Sequence, residues 1–146
     1  AVQFLMAWSM LEAGCFQGFA KGKEIFAHAD RLVTQEQFDL ARLSDELTEF
    51  HGRYQDKTKL KNLMHGHSSP DITPLLSRPL SSLSPVEKLQ IVLTVVYRYR
   101  NNIFHGTKGV DSWLRFKPQI GYCISAMQVL ISHARARSNE PVRDAA

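Results

Sequence analysis

The stretch "SPVEKLQIVLTVVYRYRNNIF", residues 84 to 104, constrains this chain more than any other. Ser84 is placed to cap a helix, Pro85 suits its first position, and Glu87 completes a capping box. Leu89, Val92, Leu93, Val96, Tyr99 and Ile103 then fall on one stripe at 100° per residue. Glycines in the following "HGTKG" end the helix. A helix this long and this apolar on one side needs partners to cover it. No alternating strand pattern of useful length exists to supply a sheet, so the partners must be helices.

The rest of the chain offers them. Residues 2–16 are apolar and form a first helix, weakened by Gly14, Gly18 and Gly22 towards its end; "KEIFAHADRLV" forms a second. Thr34 and Gln37 have capping-box spacing and open "TQEQFDLARLSDELTEFHGRYQD". Its apolar face is Phe38, Leu40, Leu43, Leu47, Phe50 and Tyr54. Helical character resumes across "KTKLKNLMHG". Residues 66–84 hold three of the six prolines and six serines, the composition of a loop, with one helical turn at Leu75. Asp111 can cap a last long helix with Trp113, Leu114, Ile120, Ile124, Met127, Leu130 and Ile131 inside. The expected architecture is an all-α bundle of four to five helices in a single domain over residues 1–137. Residues 138–146 read as a flexible tail.

The totals narrow the class. With 146 residues, 44% of them hydrophobic and 22% charged, the chain can bury a core as a soluble protein does. The apolar opening segment has no basic leader and carries Glu12, so it reads as a core helix and not a signal peptide. No apolar run is long enough to cross a membrane. Cys15 and Cys123 match no metal or redox spacing and are expected as buried thiols in the cytoplasm. Charge is uneven. Residues 1–56 hold five Lys or Arg against nine Asp or Glu, whereas residues 57–137 hold twelve against three. A basic second half suits a phosphate-rich partner.

One residue breaks the central helix's pattern. Arg100 lies about 40° from Val96, inside the apolar stripe, where burial of a lone guanidinium costs several kcal/mol. Arg98, Asn101, Asn102 and His105 share the other side. A long Arg stem can snorkel from a helix end, but here "RNNIFH" follows a defined order: Arg, a polar residue, three more residues, His. In this order, and in the capped helix that carries it, the segment from about residue 84 to 110 resembles the HEPN family (higher eukaryotes and prokaryotes nucleotide-binding domains). Arg100, Asn101 and His105 match that family's Arg-x4-His signature.

The resemblance implies an HEPN-like helical bundle that forms a homodimer with two motifs facing one cleft. It also implies a metal-independent endoribonuclease, of the kind found as toxins, antiviral effectors and RNA-processing enzymes, with RNA as a partner and an antitoxin or other protein as a possible second one. The residue types suit that chemistry. Histidine can take and return a proton near neutral pH, and a fixed guanidinium can hold the charge that gathers on phosphorus. His105 is then the general acid/base, Arg100 the clamp and Asn101 the positioning residue. Asn102, Arg98, Lys108, Arg115 and Lys117 are candidate RNA contacts, and no metal or cofactor is expected. On an unbroken helix Arg100 and His105 lie about 140° apart. Either the helix unwinds before His105 or a second subunit completes the site. One position departs from the family: where a subgroup with nucleotidyltransferase antitoxins carries a Tyr three residues after the His, this chain has Lys108. The alternative reading is an HEPN module that binds RNA, a nucleotide or a protein without cutting. A third is a dimerisation domain whose arginine meets an acidic partner.

Other features carry less. His65 and His67 in "HGH" lack neighbouring ligands for a metal site, and His28 and His133 are lone helical histidines. Tyr97, Tyr99, Phe104 and Trp113 have the spacing of core residues.

Overall fold

The computed structural model describes residues 2–16, 22–67, 70–104 and 115–139. Among them all regular structure is helical, in seven α-helices and four short segments of other helical type. Four of the helices are long: α1 (Val2–Cys15), α3 (Ser44–Arg53), α6 (Pro85–Phe104) and α7 (Lys117–Ser138). The short ones are α2 (Ile25–Asp30), α4 (Lys57–Leu63) and α5 (Thr73–Leu76). The count exceeds the expected four to five because local caps nucleate short turns between the long helices. Asp56 accepts from the backbone of Thr58 and Lys59 and starts α4. Pro74 at the start of α5 fixes its first turn.

Helix α6 is the centre. Leu89, Ile91, Val92, Leu93, Val95, Val96 and Tyr99 are all buried, so its apolar surface is wider than the single stripe. Helices α2 and α3 pack along it, while α1 packs mainly along α7. Phe4, Leu11, Leu43, Phe50, Met127 and Leu130 are sealed in the same core. Each contributes roughly 1.5–3 kcal/mol through burial. Both cysteines are free and buried, and burial pushes the Cys15 thiol up to about 11. No helix among the described residues is long and apolar enough to cross a membrane.

The start of α6 is as its sequence requires. The backbone N–H of Ser84 donates to Glu87 at 2.9 Å, and that of Glu87 donates to Ser84 Oγ at 3.2 Å. Arg78 adds a 2.8 Å bond to the same carboxylate. The Ser84 N–H and Arg78 together hold the Glu87 carboxyl below its ordinary range.

The start of α3 differs from expectation. Thr34 and Gln37 form no capping box. Residues Arg31–Gln35 are wound as a π-helix that continues α2, and Thr34 Oγ1 donates back to the Asp30 carbonyl. Gln37 turns the chain with φ of 54°, and Asp39 caps the 3-10 turn Leu40–Leu43 that leads into α3. The reason is tertiary. Glu36 is claimed by Arg31, His133 and Arg137, and Phe38 is driven into the core, edge-on to His133 at 5.2 Å. Asp111, Trp113 and Leu114 lie outside the described residues, as do residues 140–146 of the tail; α7 itself begins at Lys117, after Phe116.

Candidate functional site

The last turns of α6 carry four of the candidate residues, and the helix aims them two ways. Arg100 points towards α1. Its guanidinium carbon lies 5.9 Å from the centre of the Trp8 ring, and Nη1 donates to Asn101 Oδ1 at 3.0 Å. Trp8 is buried, braced by Tyr97 at 6.2 Å and Phe16 at 6.3 Å. The arginine is therefore half-buried on an indole face, a cation–π seat that fixes its direction. A pattern that asked for a leucine receives a guanidinium because α1 presents an aromatic ring at that level.

Gly22 permits the brace. A Cβ there would stand 2.9 Å from Tyr97 Cε1 and 3.3 Å from Cζ, closer than a side chain can sit. Lacking one, the 3-10 turn Gly22–Glu24 lies directly against the tyrosine ring.

Arg98 and Asn102 point the other way, towards α4. Arg98 Nε donates to the Leu63 carbonyl at 3.4 Å, and Asn102 Nδ2 to the same oxygen at 3.3 Å. One turn apart on α6, they satisfy a carbonyl that the end of α4 leaves open. Burial holds the Arg98 guanidinium below its ordinary value. Deeper in, Tyr54 and Tyr99 share a hydroxyl hydrogen bond of 3.2 Å, and burial raises both phenols. Tyr97 and Tyr99 thus serve packing, as their spacing suggested.

Two further candidates, Arg115 and Lys117, are exposed just before and at the first position of α7. His105 and Lys108 lie outside the described residues. Sequence reasoning set Asn101 on the side of α6 opposite Arg100, whereas its side chain turns back to accept from the guanidinium. It missed Trp8, which no local pattern ties to a residue 92 positions away. It also gave Arg98 and Asn102 no role in holding α4.

His28, His51 and His133 find partners within the fold. His51 Nε2 donates to the Arg78 carbonyl at 2.8 Å, and His67 lines a groove beside α4. Comparison of the chain with models of protein families, with curated proteins and with solved structures yields no match, so its residues alone must carry the functional reading.

Proposed function

We propose that this chain is a metal-independent endoribonuclease of HEPN type, working at the cleft of a homodimer. One observation carries the reading: Arg100, the residue that departs from its helix's pattern, is seated on Trp8 and steadied by Asn101, five residues before His105. A guanidinium held in one direction is what stabilising a phosphorane requires, because its donors need no reorganisation as charge develops. The motif order and the capped helix that bears it support the same reading.

In the proposed reaction His105 takes the proton of a ribose 2′-OH, whose oxygen attacks the adjacent phosphorus. The P–O5′ bond breaks, and the leaving oxygen receives a proton from an imidazolium. The products are a 2′,3′-cyclic phosphate and a 5′-hydroxyl. Arg100 donates to the equatorial oxygens, and Asn101 keeps the guanidinium in plane with them. The second subunit supplies the facing motif. A toxin or antiviral role, with an antitoxin or other protein as regulator, goes with that chemistry.

The test is incubation of the purified protein with end-labelled single-stranded RNA in EDTA. Cleavage with cyclic-phosphate ends is expected, reduced on the order of 10²–10³-fold in Arg100→Ala and also lost in His105→Ala. RNA binding without cleavage in the wild type would leave the non-catalytic module standing in its place.

A further inference from the structure

We infer that the open groove beside α4 docks a single-stranded segment of the RNA that the proposed ribonuclease cuts. The inference rests on that ribonuclease reading and concerns a different face of α6 from the one Arg100 occupies.

The groove encloses about 630 Å³, enough for a nucleotide or two. Its apolar floor is made by Leu60 of α4, Met64 just after that helix, Pro70 and Pro74. Lys57 and Lys61 of α4 form one wall, and His67 also lines the groove. Both lysines are exposed, and among the described residues neither makes an ion pair. The groove's lining includes two lysines and no acid; Asp56, just before it, accepts from the start of α4, and Asp71 follows Pro70. The lysine wall presents positive charge that no ion pair among the described residues uses.

Charge complementarity selects a polyanion, and the shape selects a single strand. Lys57 and Lys61 are one helical turn apart, about 6 Å at 1.5 Å per residue, close to the spacing of successive phosphates on an extended strand. The His67 imidazole gives a flat face on which an unpaired base can stack, and the proline rings offer apolar contact. A duplex would hide those bases and offer only its backbone.

Position strengthens the case. Met64, in the floor, directly follows Leu63, whose carbonyl Arg98 and Asn102 hold. The groove is thus fastened, through Leu63, to the motif-bearing turns of α6. Docking there would fix the register of the scissile phosphate without touching the reacting atoms.

The test uses a 2′-O-methyl oligonucleotide, which cannot be cleaved, and the double variant Lys57→Gln/Lys61→Gln. Fluorescence anisotropy across a salt series should show weaker binding by the variant. Its log–log salt slope should be smaller by about 1.4, the loss of two single-strand phosphate contacts. A 4-thiouridine version should crosslink to the peptide that contains Met64 and His67. Unchanged affinity and slope, or crosslinks only elsewhere, would overturn the groove while cleavage by the wild type keeps the ribonuclease. Crosslinking in the groove by a protein that cuts no RNA would keep the docking site and remove the catalytic reading. Equal displacement of the oligonucleotide by polyglutamate would overturn the choice of RNA in favour of an acidic protein.

Discussion

Two arginines are part-buried on either side of the ring series His28, Phe16 and Trp8, and the protein uses them differently. Arg31, in the π-helix after α2, donates to the Glu36 carboxylate, to the Cys15 carbonyl and to His28. Glu36 in turn accepts from His133 and Arg137 of α7, each at 3.2 Å. Arg100, at the end of α6, meets an indole face and the amide oxygen of its neighbour. The first setting ties three segments together through one carboxylate. The second orients a guanidinium. Contacts gathered on one carboxylate should matter most for stability, whereas a guanidinium set on a ring of α1 should matter most for chemistry.

The largest expected effect breaks this contrast if it fails. Glu36→Ala removes the acceptor shared by Arg31, His133 and Arg137, although Arg31 keeps the Cys15 carbonyl and Arg137 stays in solvent. Stability should fall by about 1.5–3 kcal/mol, the worth of a part-buried hydrogen bond to a charged group. Arg100→Met, which keeps the stem but not the charge, should cost only about 0.5–2 kcal/mol, the worth of a partly desolvated cation–π contact. Urea denaturation measures both. Equal losses would mean that Arg100 is as structural as Arg31, and the proposed division of labour would be wrong.

The same contrast explains what the sequence disclosed. The start of α6 was readable because Ser84 and Glu87 bond each other within one turn. The start of α3 was not. Thr34 and Gln37 have the same spacing, but the fate of that segment is set by His133, 97 residues from Glu36. A local signal lost to a distant carboxylate contact and to the burial of Phe38. Arg100 stood out from its own helix, but Trp8 did not, because an aromatic in an apolar run looks like any other core residue. Lys57 and Lys61 went unread, two lysines among several in "KTKLKNLMHG". The groove beside them depends on Pro70 and Pro74, which sequence shows only as loop.

A medium effect separates the two flanks by their glycines. Gly22→Ala would push a methyl group into Tyr97, at 2.9 Å, and disturb the ring that braces Trp8 beneath Arg100. A loss of about 1–3 kcal/mol is expected from the overpacking, with a drop in RNA cleavage because the guanidinium shifts. Gly14→Ala lies on the other flank, where its Cβ would meet Ala134 Cβ at an ordinary 3.7 Å. Inside α1 that change should stabilise by about 0.5–1 kcal/mol through helix propensity. Thermal melts of the two variants should therefore move in opposite senses relative to wild type, and only Gly22→Ala should lose cleavage rate. If Gly22→Ala cleaves RNA at the normal rate, Tyr97 and Trp8 do not set the position of Arg100.

The smallest effect sharpens the account of the Arg31 flank through pH. Arg31 Nη2 donates to His28 Nδ1 at 3.2 Å, so that nitrogen must be unprotonated to accept. The ring also lies 4.4 Å from Phe16. Burial first, and then the Arg31 charge, hold His28 below its ordinary value of 6.5; Glu24, at 3.7 Å from Nε2, opposes them only partly. As pH falls through 6.5, the unfolded chain takes up this proton before the folded one does. The unfolded state then binds more protons, so stability must decline with falling pH. His28→Gln keeps an acceptor for Arg31 but cannot titrate. Between pH 7.5 and 5.5 the wild-type melting temperature should drop more steeply than that of the variant. The two curves should meet at the alkaline end, where His28 is neutral in both states. Parallel curves across the whole range would show that Arg31 does not depend on a neutral His28, and that the Glu36 carboxylate alone fixes this flank.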